Sequence, residues 1–181
     1  MKKILASLLA LMLLFSCTAL AENKSYTIDE GVTVNVVVPE GYKADDAVFY
    51  DGNLIAGFES DVRENAPCMT LMVCPSEDYN GLERLNDLSE DAFAQLKSDL
   101  CEDLNNPTVT EAETGLGTKL IVINENYTEY NYDSVTIYTL YKGYLLQLFM
   151  VYADESGILE KVITDEDIAR GIQFYTDIVF E

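Results

Sequence analysis

Residues 134–152, SVTIYTLYKGYLLQLFMVY, decide the fold of this chain. Ser134 to Tyr141 and Tyr144 to Tyr152 are rich in β-branched, apolar and aromatic residues. The dipeptide Lys142-Gly143 lies between them, and two strand-like segments joined by such a short turn are typical of a β-hairpin. Because a hairpin joins antiparallel neighbours, this stretch predicts the centre of an antiparallel sheet.

A second hairpin and further strands are predicted elsewhere in the chain. Val48-Phe49-Tyr50 and Asn53 to Phe58 flank Asp51-Gly52, the dipeptide that favours a two-residue hairpin turn. Cys68 to Cys74, between Pro67 and Pro75, is apolar on both faces and is expected to be a central strand. Three more strands are predicted at Thr33–Pro39, Thr108–Thr114 and Thr118–Asn124, and residues 22–27 are expected to be a short polar lead.

Two segments have helical periodicity. The first spans residues 88–104, with apolar residues at helical spacing at Phe93, Leu96, Leu100 and Leu104 and a stop at Asn105-Asn106-Pro107. Asp87 or Ser89 could cap it, and Asp87 with Glu90 matches a capping box. The second begins near Thr164, which pairs with Asp167 as a cap, and its expected inner face is Ile168, Ile172, Tyr175 and Val179.

The predicted elements follow the order strands, helix, strands, helix. This order favours an α+β fold with a mostly antiparallel sheet and two main helices packed on it. No internal repeat and no Pro/Ser-rich linker divides the chain. The expected organisation is therefore a signal peptide over residues 1–21 and a single α+β domain over residues 22–181.

This layout resembles the PsbP-like fold family. The matching features are an opening strand that runs into Pro39-x-Gly41-Tyr42, a mid-chain helix followed by Gly117 and a strand, the hairpin around Lys142-Gly143, and a C-terminal helix before Ile178-Val179-Phe180. Tyr42 departs from the tryptophan that many members have at this place. The resemblance implies a binding or assembly role in an exported bacterial protein and brings no catalytic residues with it.

Residues 1–21 predict export from the cytoplasm. Met1-Lys2-Lys3 is positively charged, an apolar run follows, and Ala19-Leu20-Ala21 matches a signal-peptidase site with cleavage after Ala21. Leu14-Phe15-Ser16-Cys17 also resembles a bacterial lipobox, which would make Cys17 a lipidated N-terminus. Two outcomes stay open, free secretion or a lipid anchor on the outer face of the cell membrane. No second apolar run is long enough to span a membrane, so no transmembrane segment is expected in the mature chain.

Composition excludes several classes of function. The 181 residues contain no histidine, which removes the usual Ser-His-Asp and Cys-His nucleophiles and histidine-bearing metal sites. Without residues 1–21, which hold two lysines and no acids, nine basic and 32 acidic residues remain, a net charge of −23. Nucleic acid and anionic surfaces need clustered Lys and Arg, so neither is an expected partner.

Three cysteines besides Cys17 are an odd number and cannot all pair with one another. Cys68 and Cys74 are predicted on one strand about 20 Å apart and cannot bond each other. Cys101 could bridge to one of them at most, and the sequence leaves open which. Buried free thiols are the expected state, since free cysteine behaves as a small apolar residue.

The candidate binding residues are tyrosines. Seven lie within residues 127–152, and Tyr127, Tyr130 and Tyr132 stand among Asn, Glu and Thr, which predicts exposed rings. Tyrosine is enriched at binding interfaces because its ring is rigid and amphipathic. These three residues are the predicted binding face for a protein or a glycan.

The acidic residues support two weaker hypotheses. Paired carboxylates could serve a secreted hydrolase, and the acidic clusters could bind extracellular calcium weakly, although no run has the spacing of a calcium-binding loop. Gly115-Leu116-Gly117-Thr118-Lys119 lacks the phosphate-loop spacing and is expected to be a turn. The preferred hypothesis is a non-enzymatic exported binding or assembly module of the bacterial cell envelope, with no catalytic residue, cofactor or metal assigned.

Overall fold

The structure, a computed structural model, describes residues 22–29, 32–61 and 65–180. The predicted signal peptide, the predicted cleavage site after Ala21 and the candidate lipidation site Cys17 lie outside these residues. The strands are β1 (Asn23–Asp29), β2 (Val32–Val37), β3 (Tyr42–Ala44), β4 (Val48–Tyr50), β5 (Asn53–Ser60), β6 (Cys68–Pro75), β7 (Pro107–Glu113), β8 (Lys119–Tyr127), β9 (Tyr132–Tyr141), β10 (Tyr144–Val151), β11 (Ala153–Asp154), β12 (Gly157–Ile158) and β13 (Val179–Phe180). The helices are α1 (Glu90–Asp99) and α2 (Asp165–Thr176), and three single-turn 3-10 helices lie at Glu77–Tyr79, Leu85–Asp87 and Thr128–Tyr130.

One long sheet organises the molecule. Its strand order is β3-β5-β6-β10-β9-β8-β7, with β4 paired to the outside of β5, and a smaller sheet has the order β1-β2-β13. Every strand pair in the described residues is antiparallel. The predicted α+β class with a mostly antiparallel sheet and two main helices is confirmed.

Both predicted hairpins are present, and their turns explain why. Tyr50 pairs with Asn53 and Tyr141 with Tyr144, so each loop has two residues. Asp51-Gly52 and Lys142-Gly143 all have positive φ, between 46° and 81°. Two successive left-handed residues match the twist of the flanking strands, and glycine takes this conformation without steric cost.

The strand predicted at Cys68–Cys74 is β6, and it lies in the interior of the long sheet. Its two faces are unequal. Met69, Leu71 and Val73 are fully buried, whereas the alternate residues, including Cys68 and Cys74, are only half-buried. The strand is central, as predicted, but its second face is less buried than its first, since the buried residues on which α1 packs lie on β8 and β9.

The inner face of the long sheet packs against α2 and the smaller sheet in one large core. Phe58 and Phe174 meet edge to face with ring centroids 5.1 Å apart. The predicted cap of α2 is confirmed, since Thr164 and Asp167 form a capping box. Val179 was wrongly assigned to the helix. The helix ends at Thr176, and Val179 pairs with β2 as an exposed residue of β13.

The other face of the sheet packs against α1 in a second core. Its buried residues are Leu85, Phe93, Leu96, Ile121, Ile123, Tyr138 and Leu140. The helix is shorter than predicted, ending at Asp99, although Leu100 and Leu104 still pack against this core from the turns that follow. Its cap is Ser89, which accepts from the Ala92 N–H; the Asp87–Glu90 capping box is wrong.

Residues 22–27 are not a polar lead, because most of them belong to β1, which pairs with β2 continuously from Asn23 to Thr27 and again at Asp29 after a register shift. The Gly115–Lys119 stretch is confirmed as a turn: the Gly117 N–H donates to the Thr114 carbonyl at 2.9 Å, and β8 begins at Lys119. No helix in the described part of the chain is long and apolar enough to cross a membrane.

Candidate functional site

The three predicted binding residues come together where β8 turns into β9. Tyr127 ends β8, Tyr132 begins β9, and the two residues are paired across the strands. Tyr130 lies in the single 3-10 turn between them, which ends at Asn131 with a left-handed φ of 55°. The local sequence thus places all three side chains at one end of the sheet, on a hairpin tip rather than across its flat face.

The rings of these residues, here called the tyrosine cluster, form one aromatic group. Tyr127 and Tyr132 are stacked, with centroids 4.7 Å apart and planes 19° apart. The Tyr130 ring lies 6.3 Å from that of Tyr132 and is tilted by 37°. Tyr130 is 64% exposed. Tyr127 and Tyr132 are half-buried, so the exposed Tyr130 ring lies beside a pair of rings that the fold holds in place.

Glu125 supports the base of the cluster. Its carboxylate accepts the Asn105 N–H at 2.8 Å, which joins the segment after α1 to β8. A hydrogen bond from the Tyr127 hydroxyl to Glu125 raises the pKa of Tyr127 to about 12, and burial adds to this. The phenol is therefore neutral throughout the physiological pH range, and the cluster can contact a partner without adding another negative charge.

The remaining tyrosines of the run have a different place. Tyr138 and Tyr152 are buried in the two cores, and Tyr141 and Tyr144 are half-buried against the inner one. The structure thus divides the tyrosine-rich stretch into core residues and an exposed tip. Exposure, together with the mutual contact of the rings, distinguishes the three candidates.

No family model matches this chain, and no curated protein matches it. The chemistry of its own residues is therefore the basis for assigning a function.

In the part of the chain that the structure describes, Cys68, Cys74 and Cys101 form no disulfide with one another. Burial raises the pKa of the Cys74 and Cys101 thiols, which disfavours the nucleophilic thiolate. Within the ranges that the structure covers, no group of three or more potential ligand side chains could hold a metal ion.

One feature was missed by sequence reasoning. A cavity of about 350 Å³ lies at the other end of β8 and β9, lined by Arg84, Thr114, Leu116, Thr118, Thr139, Leu140, Tyr141, Leu146, Tyr175, Thr176, Ile178 and Val179. These residues come from five separate segments of the chain, so no local sequence pattern predicts the cavity. Six residues of β9, 133–138, separate Tyr132 from the first β9 residue of the cavity, Thr139, and this is roughly 23 Å along the strand.

Proposed function

We propose that this chain is a non-enzymatic binding or assembly module exported to the bacterial cell envelope, where the tyrosine cluster contacts a protein or glycan partner. The observation that carries the proposal is the exposed Tyr130 ring beside the stacked pair of Tyr127 and Tyr132. Aromatic residues held in a fixed arrangement lose little conformational entropy on binding and are enriched among residues that dominate binding energy.

The sequence supports the location and the role. The pattern of residues 1–21 favours export, with free secretion after Ala21 or a lipid anchor at Cys17 as the two routes. The absence of histidine and the raised pKa of two thiols weaken the usual nucleophilic chemistry. A PsbP-like arrangement is part of the proposal, supported by an antiparallel sheet with one helix on each face.

Cross-linking from the tip tests this proposal. A photoreactive residue at position 130, in cells that export the protein, is expected to give a discrete adduct with one protein or one glycan. The same residue at position 50 is the control, because Tyr50 is also a strongly exposed tyrosine and lies on β4, outside the tyrosine cluster. Adducts of equal yield at both positions, or none at position 130, would contradict a binding role for the cluster.

A further inference from the structure

The cavity beside the start of β8 and the end of β9 has a buried apolar floor, and hydrogen bonds hold the loops around it in place. Leu146 and Tyr175, which belong to the inner core, line it and are almost completely buried. Its volume of about 350 Å³ lies at the small end of the range for sites that hold small molecules, roughly 300–1,000 Å³. A compact ligand therefore fits this space better than a polymer.

Hydrogen bonds fix the loops around the cavity. The Asn86 amide donates to the Gly117 carbonyl at 3.1 Å and accepts from the Lys119 N–H at 3.0 Å. The Lys142 N–H donates to the Glu83 carbonyl at 3.1 Å. The segment around Arg84 is thereby tied both to the Gly115–Gly117 turn and to the β9–β10 hairpin, so the cavity exists without a ligand.

Two of the residues that line the cavity are exposed aliphatic side chains. Leu116 is 76% exposed and Val179 is 54% exposed, and both line it. Two exposed aliphatic side chains beside an apolar floor offer a continuous surface for a hydrocarbon group.

Arg84 is the one charged residue among those lining the cavity, and it is exposed. The other described cations have partners: Lys24, Lys43, Lys97 and Arg170 pair with carboxylates, and Lys97, Lys119, Lys142 and Lys161 lie over aromatic rings. Within residues 22–29, 32–61 and 65–180, Arg84 has neither a salt bridge nor a ring contact. Its neighbour Asp87 uses its carboxylate to accept the N–H groups of Glu83 and Arg84.

We infer that the cavity binds a small amphipathic monocarboxylate, with its carboxylate at Arg84 and its hydrocarbon tail on the apolar floor. A guanidinium matches the planar carboxylate with two parallel hydrogen bonds. A phosphate monoester offers similar oxygens but carries a charge of about −1.5 to −2. The net charge of −23 outside residues 1–21 repels the additional charge, which favours the monoanion.

A second depression is also lined by a cation, but that cation already has a carboxylate partner. The depression lies between α1 and β7 and is lined by Lys97, Ser98, Cys101, Pro107, Val109, Thr110 and Glu111. Its cation is already paired, because Lys97 Nζ lies 2.5 Å from Glu111. Of these two sites in the described residues, the cavity at Arg84 combines a cation without a salt bridge with buried apolar lining residues.

Calorimetric titration of the purified protein with octanoate tests the inference. We expect one site per chain with a dissociation constant on the order of 100 μM, as suits a ligand of this size. Acetate, which lacks the tail, and octanol, which lacks the charge, should each bind at least about tenfold more weakly. Octyl phosphate distinguishes the anionic groups and is expected to bind more weakly than octanoate.

Two variants and a control assign the binding to the cavity. Arg84→Gln should weaken octanoate binding at least about tenfold, as expected for loss of a hydrogen bond to a charged group. Leu116→Gln should also weaken it by removing apolar surface from the lining of the cavity. Lys43→Gln is the control, because Lys43 is an exposed cation paired with Asp61 and does not line the cavity.

Four results would overturn the inference. They are absence of octanoate binding at millimolar concentration, equal binding of octanol, binding of octyl phosphate more tightly than octanoate, and binding to Arg84→Gln within about twofold of the unmodified protein. A cooperative thermal unfolding transition in each variant, at a temperature close to that of the unmodified protein, shows that the comparison is made between folded proteins.

Discussion

Replacing Asp167 with alanine is expected to lower the free energy of unfolding by about 3–5 kcal/mol. Asp167 is 2% exposed at the start of α2. Its Oδ2 accepts from the Thr164 N–H at 2.9 Å, the Thr164 hydroxyl at 2.7 Å and the Tyr152 hydroxyl at 2.9 Å. Its Oδ1 accepts from Arg170 at 3.1 Å. Loss of this carboxylate leaves buried donors without an acceptor, which costs more than an ordinary hydrogen bond.

Urea unfolding measures this effect, and the first turn of α2 supplies the controls. Asp165→Ala removes an exposed carboxylate from the same turn and should change the free energy of unfolding by less than about 1 kcal/mol. Thr164→Ala removes the capping hydroxyl, which is also one of the donors to Asp167, and should cost about 1 kcal/mol. If Asp167→Ala and Asp165→Ala had equal effects, the buried network would contribute nothing beyond the helix dipole.

Phe174→Ala is the second large expected change, with a loss of about 3–5 kcal/mol. Phe174 is one of the α2 residues that pack on the inner face of the long sheet, and its ring meets that of Phe58 edge to face at 5.1 Å. Alanine leaves a cavity between two layers that are held apart by the rest of the core, so the lost contacts cannot be fully recovered. Thermal unfolding should show a decrease of about 10 °C.

Two variants make this measurement specific. Phe174→Leu keeps an apolar side chain in the core and should cost less than about 1.5 kcal/mol. Phe49→Ala removes an exposed phenylalanine from the edge strand β4 and should have an effect within about 0.5 kcal/mol. A loss at Phe174→Ala as small as that at Phe49→Ala would contradict the packing of α2 on the sheet.

The elements that could be predicted from the sequence are those with local signals. Asp51-Gly52 and Lys142-Gly143 determine their hairpins through backbone conformation, and Thr164 with Asp167 determines the start of α2. The strand β1 was missed because its polar residues face solvent on the edge of a small sheet, so it has no apolar run. Pairing with β2, a long-range effect, makes it a strand.

Part of the candidate site could also be predicted from local sequence. Tyr127, Tyr130 and Tyr132 are close in sequence, so a short hairpin loop necessarily brings them near one another. Their stacking depends on the register between β8 and β9, which no local pattern gives. The cavity at Arg84 depends on contacts between distant segments and could not be found without the fold.

The affinity of the cross-linked partner for tip variants tests the central claim most directly. Binding of the isolated partner, protein or glycan, should weaken by about 30-fold in the double variant Tyr130→Ala/Tyr132→Ala. This factor corresponds to a loss of about 2 kcal/mol, which is typical of aromatic residues that dominate the binding energy of an interface. Tyr50→Ala should leave the affinity unchanged, and Tyr130→Phe should retain most of it because the ring remains. Equal affinity of the unmodified protein and the double variant would contradict the assignment of the tyrosine cluster as the binding site.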